Sequence, residues 1–276
     1  AGGQHERHLQ SRQFFRESRP KLTAAISAEM KPLAEVNSPA VERDPWLSPD
    51  GYTLYFSSTR DGGGDRGRLP ARTVSGDYYD FIEASGSYDA VIADVSGKGM
   101  SAALLMASLH SALRSLYLRH NGDAAPDAGD ILTRLNQHLH QYVEPSRFVT
   151  LFLARYCGDG RLVYSNAGHN PAALVQGDHV EWLSAGGLML GPFPGLRYES
   201  TTVRVQPGDL LCLYTDGVTE AEAASGEQFG EERLAAVLRD AATLPPRDVA
   251  AAVQQRVRDW CGDAEPSDDL TLVVLR

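Results

Sequence analysis

Past residue 70 the chain orders its secondary structure in a way that admits few folds. Tyr78 to Ala84 and Tyr88 to Val95 read as strands joined by the small turn Ser85-Gly86-Ser87, a hairpin. Leu105, Leu109, Ala112, Leu113 and Leu116 then recur at helical spacing, and Ile131, Leu132, Leu135 and Leu139 mark a second helix. Strands follow at 148–156, 161–165, 172–175, 180–183, 201–205 and 210–214. Helices around 231–242 and 247–260 and a last strand at 270–275 close the series. Blocks of strands and paired helices do not alternate as parallel βαβ units would. They predict an α+β protein, with antiparallel sheets and helices packed outside them.

Residues 1–69 are different: polar, and punctuated by proline and glycine. The start predicts short helices broken at Pro20 and Pro32. Within Asp44–Asp65, Ser48-Pro49-Asp50-Gly51 is turn chemistry and Tyr52 to Ser58 alternates as a strand. This segment resembles one repeat of a TolB-type β-propeller. A single repeat cannot bury its own face, so a propeller is not expected. The chain therefore divides into an N-terminal segment, 1–69, and a folded domain, 70–276.

A formal net charge of −10 argues against a binder of the phosphate backbone, and no nucleic-acid partner is expected. Cys157, Cys212 and Cys261 are scattered, without metal-ligand spacing, and read as reduced thiols. No apolar run approaches the ~20 residues that span a bilayer. The opening AGGQHERHLQSRQFF has no apolar signal core, which makes the cytoplasm the expected location.

The informative acidic residues stand where apolar strands meet turns. Asp77 follows Ser75-Gly76, Asp94 ends YDAVIAD, Asp216 ends LLCLYTD before Gly217, and Asp268 precedes Asp269 and LTLVVL. Taken singly, each reads as a turn residue. Together they form a set of hard oxygen donors beside small residues, the donor type that Mg²⁺ or Mn²⁺ takes. Two such ions could activate a water and stabilise phosphoryl transfer. SGKG at Ser96–Gly99 is not a P-loop, because it lacks the earlier glycine and the following Ser/Thr.

The phrases SGDYYDF (Ser75–Phe81), IADVSGKGMSAALLMA (Ile92–Ala107) and FVTLF (Phe148–Phe152) stand in that order. NAGHNP (Asn166–Pro171), GDLLCLYTDGVTEA (Gly208–Ala221), FGEERL (Phe229–Leu234) and SDDLTLVVL (Ser267–Leu275) follow. With these phrases the chain resembles the PPM, or protein phosphatase 2C-like, phosphatases, and within them the bacterial SpoIIE/RsbU-like branch. The resemblance implies an antiparallel β-sandwich flanked by helix pairs, α-β-β-α. It implies two Mn²⁺ or Mg²⁺ ions, with Asp94 bridging both and the Val95 carbonyl as a further ligand. Asp77 would serve one ion, largely through water, and Asp216 and Asp268 the other. Whether Asp268 or Asp269 is the ligand stays open.

The activity implied is hydrolysis of phosphoserine or phosphothreonine by a two-metal-activated water in line, with Asp94 and Asp77 central to catalysis and no phosphoenzyme. The implied substrate is a phosphorylated regulator, such as an anti-sigma-factor antagonist. Arg72 could reach its phosphate, and His169 could serve as an acid or simply stabilise a turn. The SGKG region can move in this branch and so gate the metals. A homodimer is left open. One departure is the absence of the expected strand just upstream of Pro70; either Tyr52–Thr59 supplies it or the sheet is incomplete. The alternative function is a catalytically silent module or scaffold that keeps the fold and docks the regulator.

Overall fold

The computed structural model describes residues 55–56, 76–84, 86–97, 100–118, 126–144, 147–262 and 268–276. The expected N-terminal helices, the Ser48–Gly51 turn, most of the propeller-like segment, the boundary at residue 70 and Arg72 lie outside them.

The hairpin forms as its sequence predicts. β2 (Asp77–Ala84) and β3 (Ser87–Val95) pair antiparallel, from Asp77 opposite Asp94 to Ala84 opposite Ser87. Gly86 takes a φ of +83°, which so short a connection favours and a side chain resists. β4 (Val149–Tyr156) pairs with β3, and β5 (Arg161–Ala167) with β4, both antiparallel. The far side of β5 carries β9 (Thr201–Arg204) and the two-residue β8 (Gly186–Gly187), the one parallel pairing among the described strands. Sequence reading misses β8, since two glycines carry no strand preference. A Cβ on Gly186 would fall 1.8 Å from the Asn166 carbonyl oxygen, so only glycine fits there.

The second sheet runs β1 (Tyr55–Phe56), β11 (Leu272–Leu275), β10 (Leu210–Tyr214), β6 (Ala172–Gln176), β7 (His179–Leu183). Tyr55 and Phe56 pair with Val274 and Val273, so the upstream segment does supply an edge strand.

Strand periodicity sorts the core into layers. Along β3, Ala90 and Ile92 face the other sheet and pack with Phe152, Leu174, Leu211, Leu213 and Val273. Val91, Ala93 and Val95 face the opposite way, toward α1 (Met100–Leu118) and α2 (Ala128–His140). Those helices present Leu105, Leu109, Leu113, Ile131, Leu132, Leu135 and Leu139, the positions their spacing marks as apolar. Beyond the second sheet, the short α3 (Asp216–Thr219) leads to α4 (Gly230–Asp240) and α5 (Pro246–Cys261). Leu234, Leu238, Val249, Val253 and Val257 of these helices cover that sheet. The order of layers is helix pair, sheet, sheet, helix pair, as the resemblance implies. Each fully buried Leu stabilises it by ~1.5–3 kcal/mol.

Polar anchors fix α1. Arg114 Nε donates to Asp80 Oδ2 at 2.7 Å, and Tyr78 donates to the same oxygen at 2.7 Å. One step deeper, Asp89 is only 1% exposed. It is gripped by Arg155 through Nε (2.7 Å) and Nη2 (2.6 Å) and accepts a third bond from Tyr117. Removing one partner of such a pair strands a buried charge, at about 3–5 kcal/mol. No helix among the described residues is long and apolar enough to cross a membrane.

Candidate metal centre

The register of the first hairpin puts Asp77 directly opposite Asp94. Side chains paired in this way share a face, and Asp94 has the parity of Ala90 and Ile92, so both carboxylates point between the sheets. Like charges directly opposite destabilise a sheet, so this register is a structural cost. Gly76 makes it feasible: a Cβ there would meet the Val95 carbonyl oxygen at 2.7 Å and Asp94 Oδ1 at 2.9 Å.

The second sheet brings the other acids. β10 and β11 are antiparallel neighbours, with Tyr214 opposite Leu272. The end of β10, which leads to Asp216, therefore lies beside the start of β11, which follows Asp268 and Asp269. A Cβ on Gly217 would fall 2.1 Å from the Asp269 carbonyl oxygen, so glycine lets α3 start against that backbone. Asp268 Oδ1 accepts the Asp269 N–H at 2.9 Å. Gly76, Asp77, Asp94, Val95, Gly97, Asp268 and Asp269 line one open pocket at this junction.

The electrostatics follow from the crowding. Burial pushes the Asp77 carboxyl up to about 8; the Asp94 and Asp269 charges add to the rise, while hydrogen bonds from Thr271 and Thr215 oppose it. Burial, then the charges of Asp216 and Asp268, push Asp94 up to about 6. Glu220 is also raised, by burial and then by Asp216 and Asp268. Asp94 thus feels Asp216 and Asp268, whereas Asp269 acts on Asp77. Among the described residues no group of three or more His, Cys, Asp or Glu side chains is arranged to hold a metal ion by itself. Paired carboxylates with a backbone carbonyl still suit Mg²⁺ or Mn²⁺, hard ions that take oxygen donors and, for Mg²⁺, keep several waters. A dication would offset the cost of ionising these buried acids and the repulsion that adds to it, so the donor set fits.

His169 is not on that pocket. It is buried, and burial pushes its imidazole down to about 4. Nε2 lies 3.2 Å from the Tyr214 carbonyl oxygen, and Nδ1 lies 2.8 Å from Thr150 Oγ1. A carbonyl can only accept, so Nε2 carries the proton and Nδ1 accepts from Thr150. The side chain links β4 of one sheet to β10 of the other. Asn166 closes the turn around it, accepting the His169 N–H at 2.7 Å and donating to its carbonyl at 2.9 Å. The structure does not place His169 at the pocket as a substrate contact: both ring nitrogens are engaged inside the sandwich, bridging the two sheets.

Three residues that sequence reasoning passed over stand at the site. Thr215 and Thr271 both donate to Asp77 Oδ2. Arg147 Nη1 donates to the Ser96 carbonyl at 3.2 Å and covers Gly97 on the pocket wall. The threonines sit inside YTDG and DDLT, where their β-branched type reads simply as strand.

Two antiparallel sheets between helix pairs, with the acidic ends of both sheets at one mouth, define the protein phosphatase 2C-like class. The fold matches the SiaA-PP2C domain of Pseudomonas aeruginosa with a TM-score of 0.68 at 22% identity, over 81% of this chain and 85% of that one. It matches the PP2C phosphatase domain with a fragment of the regulatory domain of SpoIIE from Bacillus subtilis with a TM-score of 0.66 at 22% identity, over 82% of this chain and 63% of that one. The family model described as Stage II sporulation protein E (SpoIIE) matches residues 84–276, and the chain belongs to that family. Phosphoserine phosphatase RsbU of Bacillus subtilis (strain 168) is 34% identical over 221 residues, which is 75% of this chain and 61% of RsbU. Protein IcfG of Synechocystis is 28% identical over 237 residues, 75% of this chain and 36% of IcfG. The chain spans less than two thirds of the length of either relative.

Proposed function

We propose that this chain is a metal-dependent phosphoserine/phosphothreonine protein phosphatase, with residues 70–276 as its catalytic domain and 1–69 as an N-terminal segment. The observation that supports the reading is a pocket lined by Asp77 and Asp94 from one sheet and Asp268 and Asp269 from the other, with the charge of Asp216 acting on Asp94 from beyond that lining. In this reading two Mn²⁺ or Mg²⁺ ions are held by Asp77, Asp94, the Val95 carbonyl, Asp216 and Asp268. When bound, they supply a more acidic water as nucleophile and offset the charge on the phosphoryl oxygens.

The chain's own groups do the rest. Asp94 lies electrostatically between the two acidic sets and is the candidate bridge. The influence of Asp268 on Asp94 favours it over Asp269 as the partner of Asp216. With its carboxyl pushed up to about 8 by burial, Asp77 would hold a proton in the metal-free site at neutral pH and yield it on loading. Thiol chemistry is disfavoured: burial pushes the Cys157, Cys212 and Cys261 thiols up, and all three are free.

The substrate proposed is a phosphorylated regulatory protein such as an anti-sigma-factor antagonist, by analogy with RsbU, which is named a phosphoserine phosphatase. A cytoplasmic setting, where free thiols persist, belongs to the same proposal. The test is hydrolysis of p-nitrophenyl phosphate and a phosphoserine peptide with Mn²⁺, Mg²⁺ or EDTA, comparing wild type with Asp94→Asn. Release that needs metal and collapses in the variant is expected. Folded protein that releases nothing with any ion would overturn the reading in favour of a silent docking module.

A further inference from the structure

Asp77 is tied to the opposite sheet by two hydroxyls that no strand pairing requires. Thr215 Oγ1 donates to Asp77 Oδ2 at 2.9 Å, and Thr271 Oγ1 donates to the same oxygen. The partners are 138 and 194 residues away in sequence. Both threonines are buried, at 0% and 2% exposure. They also orient each other. The Thr271 N–H donates to Thr215 Oγ1 at 3.0 Å, and the Thr215 N–H donates to the Thr271 carbonyl at 3.1 Å. With that acceptor position filled and χ1 stiffened by the β-branch, the Thr215 hydroxyl proton is directed at Asp77.

We propose that Thr215 and Thr271 are positioning residues for the metal centre, holding Asp77 Oδ2 from the second sheet so that its carboxylate faces Asp94 and the ions. This rests on the reading of Asp77 as a carboxylate of the phosphatase site. Two donors on one oxygen fix the rotation of the carboxylate. They also lock the end of the first sheet to the end of the second, at the point where the acids of both must meet.

The test uses the full chain with Thr215→Val, Thr271→Val, Thr215→Ser and Thr271→Ser. Valine keeps the shape and removes the hydroxyl; serine keeps the hydroxyl. MnCl2 is titrated by calorimetry and by thermal shift, beside its activation constant in p-nitrophenyl phosphate hydrolysis. The expected result is that each Val variant weakens Mn²⁺ binding by about tenfold or more, while each Ser variant stays within about threefold of wild type. Activity at saturating Mn²⁺ should largely return. Val variants that bind Mn²⁺ like wild type and lose only metal-free stability would overturn the proposal, as would Ser variants as impaired as Val. If one Val variant does not fold, the Val/Ser pair at the other threonine decides. Wild-type protein that binds Mn²⁺ but hydrolyses nothing would sink the phosphatase reading alone, because the binding comparison still decides the threonines.

Discussion

Loading Mn²⁺ at pH 7 should expel about one proton from the protein. Asp77, held at about 8, and Asp94, held at about 6, both carry protons that a cation must displace. At pH 7 the first is protonated in roughly nine molecules of ten and the second in roughly one of ten, which sums to about one proton. At pH 6 the sum rises to about one and a half, and at pH 9 it falls to about one tenth. Apparent affinity should therefore climb as pH rises from 6 to 8, most steeply at the acidic end. Titration calorimetry in buffers of different ionisation enthalpy reads the proton count directly. Asp77→Asn should cut the release at pH 7 to about one tenth of a proton, the share left to Asp94. Tight binding with no proton release at pH 7 would refute the argument, because it would mean that burial and repulsion do not hold Asp77 neutral.

The same acid should make the metal-free fold sensitive to pH. A carboxyl raised from 3.8 to about 8 contributes stability that is full below pH 3.8 and lost as pH rises through 8, so Asp77→Asn should raise the metal-free Tm at pH 7–8 while weakening metal binding; an unchanged or lower Tm in denaturation scans would contradict the sign. His169→Gln should lower Tm by several degrees yet leave the shape of the pH–rate profile between 5 and 8 intact, because the imidazole is already neutral there; loss of a limb of that profile would restore an acid role. Gly217→Ala must drive α3 away from the Asp269 carbonyl, so metal-dependent hydrolysis should fall at least tenfold with about 1–3 kcal/mol of stability; wild-type kinetics would show that this approach is not needed.

Much of the fold is legible in the sequence where one face of an element is buried and the other is not. Ile131, Leu132, Leu135 and Leu139 announce α2 because its outer face is polar, and the structure buries all of them. Strand β3 carries no alternation, since Ala90–Ala93 is covered on both sides, and only its length and turn marked it as a strand. β8 is invisible because it is two glycines, of which Gly186 lets Asn166 approach. The four-residue α3 is too short for any period to show. Asp80 with Arg114, and Asp89 with Arg155, also gave no signal, because a single charge in a strand does not name its partner.

The site divides along the same line. Its acids are legible because each stands where a strand meets a turn, Asp77 and Asp268 ahead of apolar strands and Asp94 and Asp216 at or just past the ends of others, a local pattern. What holds them is not local: Thr215 and Thr271 come to Asp77 only when the ends of two sheets are superposed. His169 makes a second crossing, from Thr150, which stands opposite Asp94, to the carbonyl that precedes Thr215. Hydrogen bonds from one sheet to the other thus flank the carboxylates, whose charges add to the rise that burial imposes on Asp77 and Asp94. A sandwich selected for stability alone would not place Asp77 opposite Asp94 and then crowd the pair with acids from the facing sheet. The arrangement makes physical sense if a cation is what offsets the burial and repulsion these carboxylates suffer when ionised, and the two crossings keep the acids from relaxing apart before the cation arrives.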